Sequence, residues 1–196
     1  MTDSEHLNSD QVLALFRESS ALLEGHFVLS SGLHSSRYLQ CARVLEDPAR
    51  AERLGRELRL RLGMLKPTVV VSPALGGVII GHEVARAFGV RHVFTERDAS
   101  GHAVLRRGFA LNATDRAIVI EDVVTTGLST REVMDVVRAS GADVIAVGSI
   151  IDRSGGQAGF PVPFTPLARL DVPAKPPESC ELCRAGVPVV KPGSRK

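Results

Sequence analysis

The chain has 196 residues, a formal net charge of +2 and 44% apolar residues, which suffices for one packed domain and excludes wholesale disorder. No apolar run is long enough to span a bilayer and no dense basic stretch occurs, so neither a membrane nor a nucleic acid is expected as partner. The N-terminal MTDSEHLNSD is polar and acidic, unlike a signal peptide, and three cysteines make no disulfide framework, so a reducing, cytoplasmic setting is expected.

Apolar spacing predicts a helix from Ser9 to Glu24, capped by Ser9 or Asp10 and stopped at Gly25. GHFVLSSGLHSSRYLQ then reads as strand, turn and strand, and Pro48 to Leu62 as a helix ending at Gly63. The centre alternates. TVVVSP, VRHVFTE, AIVIED and ADVIAVGSIID read as strands, with helices at GGVIIGHEVARAF and from Ser129 to Ala139. Short, continuously apolar strands alternating with helices predict an α/β class, with a central, mostly parallel sheet flanked by helices. The proline-rich C-terminal part supplies one short strand, TPLARLDV, and an irregular tail. No repeat and no second domain is evident.

The stretch from Ile118 to Thr130, IVIEDVVTTGLST, carries the chemistry. Parallel sheets bind ligands at the carboxyl ends of their strands, where Glu121 and Asp122 fall. The following loop opens a helix, whose free N–H groups and dipole favour a phosphate. Gly127 permits close approach, and Thr125, Thr126, Ser129 and Thr130 add hydroxyls. Two carboxylates beside a phosphate cradle suit a sugar diol or a share in holding Mg²⁺, so the package points to a ribose 5-phosphate. There is no Gly-Lys-Ser/Thr and no G-x-G-x-x-G, which sets aside P-loop and dinucleotide readings. Strand-end surface charges with an ordinary helix cap would explain a single acid, but not the whole package.

This stretch resembles the phosphoribosyl-pyrophosphate (PRPP) signature of type I phosphoribosyltransferases. GHFVLSSGLHSSRYLQ resembles the hood strands of the orotate phosphoribosyltransferase family, SPALGG its pyrophosphate loop, and IIDRSGG the strand end whose arginine meets the orotate carboxylate. The closing VVKPGSR is also similar to one branch of that family, so the resemblance spans nearly the whole chain. It implies a type I phosphoribosyltransferase fold in a single domain, 1–196, with a small hood from about residue 45 downwards plus the C-terminal segment, and a core from about 46 to 160. It implies transfer of the phosphoribosyl group from PRPP to orotate, with Mg²⁺ bound mainly through PRPP and no dedicated protein ligands.

By the same resemblance, Glu121, Asp122, Val123, Val124, Thr125, Thr126, Gly127, Leu128 and Ser129 bind PRPP, as do Ala74, Leu75, Gly76, Gly77 and Arg97. Thr125, Arg153 and Ser30 meet orotate, and the SPALGG loop is expected to contain a cis peptide. A homodimer is implied, its active-site loop RDASGHAVLRRGFALNATD shared across the interface. Glu121, Asp122, Arg97 and His102 are the catalytic candidates, with Arg106 or Arg107 as further loop cations. The better-known pattern has lysine at Ser30, Gly76 and Asp98, and related short-loop sequences often have it at Val104. Two other functions fit the signature: a purine phosphoribosyltransferase, and a PRPP-binding regulator without turnover. Cys180 and Cys183 form a C-x-x-C pair, but there is only one pair and no histidine nearby in sequence, so a zinc site is set aside. Cys41 reads as a small apolar residue near the hood.

Overall fold

The computed structural model describes residues 6–29 and 32–192. Helix α1 spans Ser9–Glu18, capped by Asn8, whose side chain accepts from the Gln11 N–H. It therefore ends well before Glu24. The Ser19 hydroxyl donates to the Leu15 and Phe16 carbonyls, and Ser20 has φ 52, which turns the chain out of the helix. Leu22, Leu23 and Gly25 belong instead to β1 (Leu22–Val28), which pairs antiparallel with β2 (His34–Leu39). A short helix α2 (Cys41–Leu45) leads to α3 (Pro48–Arg61), whose Asp47 cap precedes a proline in the first turn.

The remaining elements are β3 (Val69–Pro73), α4 (Gly76–Phe88), β4 (Arg91–Arg97), β5 (Ala103–Leu105), β6 (Arg116–Val124), α5 (Leu128–Ala139), β7 (Asp143–Asp152), β8 (Phe164–Arg169), β9 (Ala174–Lys175) and α6 (Glu181–Arg184). Six strands form one sheet in the order β5-β4-β3-β6-β7-β8, parallel except for β5. The loop after β4 thus contains a strand that its polar sequence did not announce. A second sheet, β1-β2-β9, joins segments from near both ends of the chain.

The period of two places alternate side chains of the central strands on opposite faces. Val70, Ile118, Ile120 and Ile150 face a core built with Leu54 and Leu58 of α3 and Ile80 and Val84 of α4. Val69, Val71, Val119 and Val147 face Val133, Met134 and Val137 of α5. Each fully buried Val, Leu or Ile contributes about 1.5–3 kcal/mol, so this double-sided burial fixes the register that positions the strand ends. Among the described residues no helix is long and apolar enough to cross a membrane.

Candidate active site

Strand β3 lies between β4 and β6, so the chain leaves β3 to one side and later returns to its other side. Such a topological switch opens a crevice beyond the carboxyl ends of the two strands. The loop after β3 and the loop after β6 border that crevice. Two cavities fill it, of about 220 and 1430 Å³, and both are lined by Gly76, Asp122 and Val123.

The smaller cavity also meets Ala74, Arg97, Glu121 and Ser129, with Glu96 and Glu132 at its wall. The larger also meets Leu75, Thr125, Thr126 and Arg153. The fold therefore gathers eleven of the residues singled out in the sequence around one crevice. Val124 is buried, and neither it nor Gly77, Gly127 and Leu128 lines either cavity. Gly127 has φ 76 and caps α5, and an added Cβ there would stand 3.0 Å from the Phe160 ring. Ser30 falls outside the described residues.

Glu121 is buried, and its carboxyl is pushed up to about 9, by burial first and then by the charge of neighbouring Asp122. It is thus a protonated acid in the free protein at neutral pH. Its Oε1 accepts the Asp122 N–H at 3.2 Å, and Asp122 Oδ1 accepts the Val123 N–H at 2.8 Å. Gly76 has a specific cause: a Cβ there would lie 2.7 Å from Asp122 Oδ2. Any larger residue must displace the carboxylate, so the absent lysine at this position reflects close packing of the β3 loop on Asp122. The Ala74–Leu75 peptide in that loop is cis.

Arg97 bridges β4 to α5, with its guanidinium donating to Gly101 O at 2.6 Å and to Glu132. His102 does not reach either cavity; its side chain is 80% exposed beside Asp98. Asp98 organises this turn, accepting the Ser100 and His102 N–H groups at 2.8 and 2.9 Å. A lysine there has no acceptor to offer those amides, which explains the acid physically. Arg107 anchors the loop by a two-pronged pair with Glu96. Val104 pairs with Glu96 in the β4–β5 ladder.

Arg153 is half-buried at the end of β7, and its Nε is buried without a hydrogen-bond partner among the described residues. Burial depresses its pKa, which still leaves a guanidinium charged at neutral pH. Tyr38, Gln40, Cys41, Gln157 and Lys191 also line the larger cavity, and sequence reasoning did not select them. Tyr38 is the chain's single tyrosine and lies on the hood strand β2, a signal that was available. Cys41 is buried in the hydrophobic core beside the crevice, and burial, then Asp122 and Glu121, push its thiol well up, so it packs there as a neutral group.

The C-x-x-C pair requires a correction. No histidine is near it in sequence, but His26 and His34 stand beside it in space, the four ligand atoms lying within 4.8 Å of one another.

A strand-end acid pair, a hydroxyl-rich helix entrance and a switch-point crevice define a phosphoribosyl transferase domain, and the family model of that description matches residues 44–158. The chain is 52% identical over 191 residues to orotate phosphoribosyltransferase of Heliobacterium modesticaldum, covering 96% of this chain and 100% of that protein. It is 55% identical over 192 residues to orotate phosphoribosyltransferase of Rhizorhabdus wittichii, covering 96% and 97%. The crystal structure of orotate phosphoribosyltransferase from Aeropyrum pernix superposes with a TM-score of 0.69 at 26% identity, over 81% of this chain and 93% of that one. The chain belongs to the orotate phosphoribosyltransferase family.

Proposed function

We infer that the protein transfers the phosphoribosyl group of PRPP to orotate, giving orotidine 5′-monophosphate and pyrophosphate, a step of pyrimidine synthesis. Nitrogen N1 of orotate bonds to the anomeric carbon, the bond from that carbon to pyrophosphate breaks, and the N1 proton is lost. The sugar becomes cation-like as pyrophosphate departs, so positioning and charge stabilisation do most of the work.

In this reading the Thr125–Ser129 turn and the entrance of α5 hold the 5-phosphate, and Asp122 with Glu121 holds the ribose hydroxyls. The backbone of Ala74–Gly77 holds pyrophosphate, and Arg97 neutralises part of its charge. His102 stands too far out to act in its own chain's crevice without movement of the β4–β5 turn. The smaller cavity is walled by Thr95, Glu96, Glu121, Asp122, Ser129 and Glu132. That all-oxygen donor set fits a hard divalent cation, Mg²⁺, carried mainly by PRPP and water. When bound, the ion offsets the charge of the leaving pyrophosphate. The same proposal includes a cytoplasmic homodimer in which the β4–β5 turn serves a neighbouring crevice.

The observation that carries orotate is Arg153: a cation on the wall of the larger cavity whose Nε has no hydrogen-bond partner among the described residues. A carboxylate satisfies both its charge and its hydrogen bonds, whereas a neutral purine does not. The test is turnover with PRPP and Mg²⁺ over a series of orotate, adenine, guanine and uracil, for the native protein and Arg153→Ala. Orotate alone should turn over. The variant should raise KM for orotate by about 10- to 100-fold, the loss of a charged hydrogen bond, with KM for PRPP nearly unchanged. Equal losses for both substrates would make Arg153 a structural residue, and binding of PRPP without turnover of any base would make the protein a sensor.

A further inference from the structure

We propose that His26, His34, Cys180 and Cys183 form a structural zinc site that fastens the C-terminal tail to the hood. His26 lies in β1, His34 opens β2, and the cysteines flank the start and third position of α6. Cys180 Sγ and Cys183 Sγ lie 3.5 and 3.6 Å from His26 Nε2, and Cys183 Sγ lies 3.2 Å from His34 Nδ1. The two ring nitrogens are 2.8 Å apart. With Zn–S near 2.3 Å and Zn–N near 2.0–2.1 Å, the edges of a tetrahedral site run about 3.3–3.8 Å. These three sulfur–nitrogen contacts already have nearly that size, the rings need part by only about 0.5 Å, and no two of the four ligand atoms are more than 4.8 Å apart, so the remaining pairs close by at most about 1 Å.

The protonation pattern favours an ion over a hydrogen-bonded quartet. His26 Nδ1 lies 2.7 Å from the Val187 carbonyl, which can only accept, so Nδ1 carries the proton. Nε2 then presents one lone pair to the cluster. Three groups converge on it, His34 Nδ1 and both sulfurs, and one lone pair cannot satisfy all three. A cation at their centre satisfies all four ligands. The Val187 carbonyl is the kind of outer partner that fixes the tautomer of a metal-bound histidine.

The donor set names the metal. Two sulfurs and two imidazoles in a tetrahedral frame select zinc, and two thiolates neutralise its charge in a buried place. His26 is 3% and Cys180 4% exposed, so no position is open to substrate and the role is structural. The ion would tie β1 and β2 to a segment about 150 residues further on. That segment continues to Val190, which exchanges backbone hydrogen bonds with His26 and Val28, and then to Lys191 and Pro192 on the wall of the larger cavity. Zinc would thereby hold Lys191 and Pro192 at the substrate cavity without touching substrate.

The test is metal content of the full chain, purified under reducing conditions and dialysed, followed by reconstitution with Zn²⁺ or Co²⁺. Close to one zinc per chain is expected, with about two protons released on binding as both thiols ionise. Co²⁺ should give thiolate charge-transfer and tetrahedral ligand-field bands. Cys183→Ser and His26→Ala should each lower zinc affinity by more than about 100-fold, beyond the effect of losing a supporting group, while Cys41→Ser retains the metal. Should the variants fail to fold, the native protein still decides. Failure of Zn²⁺ to protect two thiols from a thiol reagent, absence of the cobalt thiolate bands, or a Cys180–Cys183 disulfide in the reduced preparation would each overturn the proposal.

Discussion

Glu121 sits where burial and a neighbouring charge oppose ionisation, and this makes the free protein's stability fall with rising pH. Its folded pKa of about 9 lies above the unfolded carboxyl value. Between those values the folded state keeps a proton that the unfolded state has lost, so stability declines from about pH 5 to pH 9 and then levels off. Glu121→Gln mimics the protonated acid and can donate to Asp122. It should be more stable than the native protein at pH 8, indistinguishable from it below pH 4, and strongly reduced in turnover. Melting temperatures across this range check it; parallel curves for the two proteins would show that Glu121 ionises normally. The acid pair and the Thr-Thr-Gly turn were legible in the sequence because they are contiguous and end an apolar strand. The role of Gly76 was not, since its neighbour Asp122 arrives from another strand. His26 and His34 escaped for the same reason: 154 and 149 positions separate them from Cys180 and Cys183, respectively.

At the scale of elements, local signals set most boundaries. Asp47-Pro48 and the φ 71 glycine at Gly89 punctuate α3 and α4 where the sequence places them. The end of α1 was misread because Leu22 and Leu23 continue its apolar period, while the serine pair that turns the chain carries a weaker signal than glycine. Strand β5 was hidden by its polar surroundings, since three residues are too few to show a period. Gly55 shows packing overriding propensity. It lies inside α3, where alanine would gain about 1 kcal/mol. An added Cβ, however, would stand 2.6 Å from Glu83 Cβ and 2.9 Å from its carbonyl carbon on α4. Backbone cannot yield as a side chain does, so Gly55→Ala forces the helices apart. A net loss of about 1–2 kcal/mol is expected, overpacking outweighing propensity. Urea titration measures it, and a stabilised variant would show that α3 and α4 tolerate a wider separation.

Over the whole molecule, segments near both ends of the described chain are held by partners distant in sequence. The tail is held at the hood, and the N-terminal segment is held by Glu57, buried on α3. Its carboxylate accepts the Leu7 N–H at 3.0 Å and the Arg61 Nε–H at 2.8 Å and meets the His6 ring at 3.2 Å. Arg61 in turn donates to the carbonyls of Leu7, Pro166 and Leu167, so one ion pair joins the segment before α1, α3 and β8. Burial alone would raise the Glu57 carboxyl, but Arg61, the Leu7 N–H and His6 together hold it below the ordinary range. A depressed carboxylate stabilises the fold above its unfolded pKa and loses that contribution as pH falls through the folded value. Glu57→Gln keeps the shape but removes the charge. At pH 7 it should cost about 2–3 kcal/mol, the range for buried hydrogen bonds to a charged group, because Arg61 keeps its three carbonyl partners. For a chain of this size that lowers Tm by roughly 4–12 °C. The gap from the native protein should narrow steadily below about pH 4.3, where the native carboxylate begins to lose its advantage. A gap unchanged between pH 7 and pH 3 would mean that the N-terminal segment is held by packing of Leu7 rather than by the charge on Glu57.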